Sequence, residues 1–165
     1  MQVSTLASVG SSDCERIADA ALAQPVLALT SLAYVMASAV VLVWSVRWRE
    51  PFAALAGGAL AAVGFGSVAF HGPQPWWAGP AHDWPIIAVA VVYAGMLVRS
   101  RRSRSPWLAA AGVFALALAA YAVGRTGSPL CRPDSLWQYH GAWHVLSALA
   151  AALAARALAP QRSGL

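Results

Sequence analysis

The stretch from Pro51 to His71, PFAALAGGALAAVGFGSVAFH, holds no ionisable side chain before its final residue, and its reading decides the fold. About 20 predominantly apolar residues in a helix are needed to cross roughly 30 Å of hydrocarbon. Within lipid only a helix or a closed barrel satisfies its own backbone. The segment therefore predicts a transmembrane helix, with Ser67 and His71 one turn apart at its end. Gly57, Gly58, Gly64 and Gly66 predict close approach to neighbouring helices.

Four further apolar stretches, 25–46, 84–98, 106–123 and 136–158, bring the expected number of spans to five. The chain's 165 residues are 59% hydrophobic and 10% charged, whereas soluble domains carry about 25% charged residues. The predicted fold is thus an all-α membrane bundle. The third span is the shortest, and Asp83 and Arg99 at its ends must sit at the interface. Residues 1–24 lack the basic and apolar regions of a signal peptide, being interrupted by Ser11, Ser12, Asp13, Glu15, Arg16 and Asp19. They are expected to form an external segment with a short interfacial helix. Residues 25–159 then form one bundle and 160–165 a cytoplasmic tail.

Every basic residue is arginine, and the net charge is +5. Arg47, Arg49, Arg99, Arg101, Arg102, Arg104, Arg156 and Arg162 fall on one side of the five-span topology. Arg16, Arg125 and Arg132 fall on the other, with Asp13, Glu15, Asp19, Asp83 and Asp134. The positive-inside rule then places the N-terminus on the outer or lumenal side and the C-terminus in the cytoplasm, in the inner membrane if the source is bacterial. This distribution speaks for topology and against nucleic acid as a partner; the run at 99–104 suits anionic lipid headgroups. Tryptophans near helix ends predict an aromatic belt. Cys14 and Cys131 share the outer face, where an oxidising compartment favours a bridge over two free thiols.

The functional clue is a set of polar residues in this apolar frame. His140 and His144 are four apart, as are Ser67 and His71, so each pair shares one helix face. With the expected topology, these four and Asp83 lie at the same end of the bundle. Intramembrane ionisable residues begin as functional-site candidates. Three imidazoles, His71, His140 and His144, supply the protein ligands of a catalytic zinc site with one open position. A coordinated water needs a proton acceptor, and an amine leaving group needs a donor; Asp83 is assigned to both. Ser67 is assigned as a hydrogen-bond donor to the zinc-bound oxygen or to the oxyanion that develops. His82, beside Asp83, is read as a loop residue at the surface or behind the ligands.

Gly66-Ser67-Val68-Ala69-Phe70-His71, then His82-Asp83-Trp84-Pro85, then His140-Gly141-Ala142-Trp143-His144 resemble the alkaline ceramidases of the CREST superfamily. Cys14-Glu15 with Gln24-Pro25 is similar to that family's entry into its first helix. The resemblance implies an intramembrane zinc amidase that cleaves the N-acyl bond of ceramide, with His71, His140 and His144 on zinc and Ser67 and Asp83 around the water. It also implies a bridge between Cys14 and Cys131. The family has seven helices, so two central ones are missing here. Its N-terminal calcium site is reduced to Asp13 and Glu15, with Ile17 and Gln24 in place of other ligands, and calcium is not expected. The expected partners are the membrane and a lipid substrate, ceramide or another N-acyl lipid. Rival readings are a non-catalytic metal- or haem-binding protein and a receptor-like bundle of the same superfamily.

Overall fold

The structure, a computed structural model, describes residues 9–99 and 104–159. It is all-helical: α1 (Pro25–Thr30), α2 (Leu32–Trp48), α3 (Pro51–His71), α4 (Ala78–Arg99), α5 (Arg104–Val123) and α6 (Tyr139–Ala155), the last running into a 3-10 turn (Arg156–Leu158). Four stretches are long and apolar enough to cross a membrane: Pro25–Trp48, Pro51–His71, Ala78–Val98 and Tyr139–Leu158. The apolar part of α5, Trp107–Val123, is shorter. The first span divides at Ser31 because Thr30 and Ser31 turn their hydroxyls back onto the Val26 and Leu27 carbonyls, competing with the helical ladder.

Two helix starts and the N-terminal segment differ from expectation. The third span begins at Ala78 rather than residue 84, which places His82 and Asp83 on a helix instead of in a loop. Pro85, a common helix-start signal, here lies inside α4. Lacking an N–H, it leaves the Ala81 carbonyl without its helical partner, and that carbonyl lies against Gly66, where a Cβ would collide with it. The last helix begins at Tyr139 rather than 136, since Gln138 folds its amide back onto the Arg132 and Ser135 carbonyls at 3.1 and 2.7 Å. Residues 9–24 contain no helix; the predicted interfacial helix is replaced by irregular chain tied to its neighbours. Arg101, Arg102, Arg162 and the tail 160–165 lie outside the described residues.

Helix α3 is flanked by α2 and α4, while α6 packs on α5 and α2. Gly57 and Gly64 admit α2 so closely that a Cβ at either would meet Leu42 or Val35; Gly58 faces open space. The core between these helices contains Tyr34, Val41, Leu60, Val63, Met96 and Ala148. Helices α4 and α5 barely touch, and only 6% of the α4 span is buried. Trp76, Trp84 and Trp137 are exposed near one end of the bundle, and Trp44 stacks on Trp48 at the other, as an aromatic belt would be arranged.

The end of the bundle that carries His71 and His140 is fastened covalently. Cys14 and Cys131 form a disulfide with Cα atoms 5.4 Å apart, as expected. Around it, the Cys14 N–H donates to the Gly124 carbonyl at 2.9 Å and the Arg16 N–H to the Pro133 carbonyl at 3.0 Å. Arg16 also makes a two-pronged ion pair with Asp134 on the exposed surface, which holds the Asp134 carboxyl below its usual range.

Candidate metal centre

His71 is the last residue of α3, and His140 and His144 occupy the first two turns of α6. Their ring centroids are 4.8 Å (140–144), 5.2 Å (71–144) and 5.5 Å (71–140) apart, and all three side chains are buried. One ligating nitrogen from each lies within 4.8 Å of the other two. Where α5 ends, Gly124 lies so close to the His140 backbone that no side chain would fit.

The partners of Nδ1 decide the protonation of two of the rings. Gln24 uses its Nε2 to donate to the Gly10 and Glu15 carbonyls, so its Oε1, 2.8 Å from His71 Nδ1, is an acceptor. Thr30 gives its hydroxyl proton to the Val26 carbonyl at 2.8 Å and so accepts from His144 Nδ1 at 3.1 Å, with the Ser31 hydroxyl, which donates to the Leu27 carbonyl, a longer second contact at 3.4 Å. Asp13 Oδ1 faces His140 Nδ1 at 3.2 Å. That contact is not a hydrogen bond, since both atoms are buried without a hydrogen-bond partner. Burial pushes the Asp13 carboxyl up to about 6 against the opposing pull of Arg125 and His82. His71 and His144 are therefore Nδ1–H, with the lone pair on Nε2.

All three Nε2 atoms are buried and without a hydrogen-bond partner. A buried polar atom left unsatisfied costs about 1–3 kcal/mol. Three ring nitrogens converging with no other partner fit one divalent cation, and the acceptors on Nδ1 of His71 and His144 are of the kind that orient metal-bound histidines. Among the described residues no other trio of His, Cys, Asp or Glu is brought together in this way. Glu15 forms no part of an oxygen cage: its two carboxylate oxygens accept from the Val26 and Leu27 N–H groups, each at 2.8 Å. Burial nevertheless raises its pKa.

The other two predicted site residues are placed differently. Ser67 is buried on α3, one turn before His71. Asp83 is not brought among the histidines; its side chain is 73% exposed and accepts from His82 Nδ1 at 2.8 Å. His82 is the residue that turns inward, with its ring 4.3 Å from Phe70 and 5.9 Å from His71 between centroids. The loop position expected for His82 is thus corrected to a helical one facing the centre, because α4 starts six residues early.

Beside the centre lies an apolar trough of about 430 Å³ between α4 and α5, backed by α3 and α6. Tyr34, Trp143 and Ser147 form its wall nearest His144; Tyr34 and Ser147 share a 2.6 Å hydrogen bond, and the Tyr34 ring is 5.8 Å from that of His144. Sequence spacing gave no route to Gln24 and Thr30, which reach the histidines from other elements. A signal was present: Thr30, Tyr34 and Ser38 recur every four residues through an apolar helix, a polar stripe facing inward. No family profile, curated protein or solved structure matches the chain. The functional reading therefore rests on the residues of the site.

Proposed function

We propose that this protein is an intramembrane zinc-dependent amidase that hydrolyses the N-acyl bond of ceramide or a related N-acyl lipid. The observation that carries the reading is three buried, unpartnered Nε2 atoms of His71, His140 and His144 next to an apolar trough. All-imidazole ligation suits zinc. When bound, such an ion polarises a carbonyl oxygen and lowers the pKa of a coordinated water to about 7.

The chain's own residues supply the rest. The trough takes an acyl chain and, lying between two helices that barely touch, admits it sideways from the bilayer. Ser67 donates a hydrogen bond to the oxyanion from one turn before His71. Asp83, bonded to His82 Nδ1, moves protons between the centre and the exposed rim. The arginine asymmetry sets the centre near the outer or lumenal face. The spacing Ser-x-x-x-His, Asp, His-x-x-x-His resembles the alkaline ceramidases and favours ceramide as the first substrate to try.

A haem carrier suits this site less well. The rings of His71, His140 and His144 meet edge to face or tilted at 4.8–5.5 Å, with no flat slot between opposed axial ligands. The deciding experiment incubates zinc-loaded protein in detergent with ceramide and a panel of N-acyl lipids. Mass spectrometry should show free fatty acid and amine in equal amounts, abolished by a chelator and restored by zinc. No release from any lipid of the panel by metal-replete protein would remove the amidase reading.

A further inference from the structure

The three groups that face the Nδ1 atoms come from one stretch of chain, two of them by hydrogen bonds. Asp13, Gln24 and Thr30 face His140, His71 and His144 respectively, although the histidines sit on two helices. Those helices, α3 and α6, make little contact with each other, and α1 packs on both. The stretch is anchored to the connection leading into α6 and to the end of α3. At one end Cys14 is bridged to Cys131, and the Thr126 hydroxyl donates to the Asp13 carbonyl at 2.9 Å. In the middle, the Gln24 N–H donates to the His71 carbonyl at 2.7 Å. Glu15 caps α1 through the Val26 and Leu27 N–H groups, closing the stretch on itself.

We propose that residues 13–30 are the outer shell of the metal centre. Gln24 and Thr30 act as positioning residues that fix the imidazoles of His71 and His144 as Nδ1–H, Asp13 packs against His140, and the Cys14–Cys131 bridge keeps that shell registered on the connection leading into α6. The inference rests on the reading of the three histidines as a metal site, and it adds that metal affinity is set by a segment carrying none of the ligands. Reduction of one disulfide then loosens the metal without touching a ligand. Such outer partners are worth about 10–100-fold in metal affinity.

Zinc affinity of the purified full chain, measured by competition with a chromophoric chelator, tests this. Thr30→Val, which keeps the shape and removes the acceptor, should weaken zinc binding by about 10–100-fold, whereas Thr30→Ser should stay near the parent value. Gln24→Met and the double change Cys14→Ser with Cys131→Ser should also weaken it, at unchanged helix content. In metal-free protein, nitrogen-15 shifts of the histidine rings should report Nδ1–H at His71 and His144, and Thr30→Val should perturb only His144. Parent-like zinc affinity in Thr30→Val and Gln24→Met would overturn the outer-shell role while leaving the metal site standing. Nε2–H rings at His71 and His144 in the metal-free parent would overturn it too. A parent chain that binds no zinc would overturn both. Should Gln24→Met fail to fold, the Thr30 pair still decides.

Discussion

Gln24 and His71 clasp each other twice. The Gln24 backbone N–H donates to the His71 carbonyl at 2.7 Å, and the His71 Nδ1 donates to Gln24 Oε1 at 2.8 Å. The carbonyl at the end of α3 and the ring it carries are thereby fixed by one residue, which stands at the N-cap position of α1 while Glu15 supplies the capping hydrogen bonds. A ring held in this way has little freedom to turn its Nε2 elsewhere, so the three-nitrogen arrangement is present before any ion arrives.

Metal stoichiometry follows from that preorganisation. Purified protein should hold one zinc per chain by elemental analysis, and His71→Ala or His144→Ala should each drop occupancy to near background. The loss leaves two nitrogens where a stable zinc site needs three or four ligands. Retention of zinc by both variants would show that the ion sits elsewhere.

Asp83→Asn should separate chemistry from binding. The side chain is exposed and touches His82 rather than a ligand, so zinc content should be unchanged. Loss of a positioned proton carrier typically costs about 10²–10⁴-fold in rate. A variant with full activity would take Asp83 out of the mechanism and leave the rim to bulk water.

The histidines and the exposed aspartate mark the boundary of what the sequence discloses. His140 and His144 were legible because i, i+4 spacing fixes a common face, and His71 because it ends an uninterrupted apolar run. The inward turn of His82 was not, since Pro85 reads as a helix start and the extra turns before it have no apolar periodicity to reveal them. The outer partners Gln24 and Thr30 were hidden for another reason: they meet their histidines across 47 and 114 positions of chain, and no local rule reports such contacts. The disulfide was legible through charge, because the arginine distribution placed both cysteines at one end, and through the resemblance that pairs them.

Gly66 is predicted to be the most sensitive small residue of α3. A side chain there meets the Ala81 carbonyl, which is backbone and cannot swing away. Gly66→Leu should push the first turns of α4 outward and break the stack of His82 on Phe70. Overpacking of this kind costs about 1–3 kcal/mol. Thermal unfolding in detergent should show the loss, and turnover should fall as in Asp83→Asn. Gly58→Leu, facing open space, is the matched control and should be silent in both assays.

The trough makes a graded prediction about substrate length. Ala150 and Ala154 both line it, and both are buried on α6. At 1.5 Å per residue they lie roughly 9 and 15 Å further along the helix than His144. A bulky ring at either position should act as a stop at that depth. Ala150→Phe should therefore confine hydrolysis to short N-acyl chains, and Ala154→Phe should exclude only the longest, with zinc content intact in each. The readout is the ratio of kcat/KM between short- and long-chain substrates, which cancels any general loss of folded protein. One extra or missing methylene in an apolar pocket is worth about 1–3 kcal/mol, so the cut-off should be steep over a few carbons. If both variants keep the parent's chain-length profile, the acyl chain lies outside this trough and reaches the centre by another path.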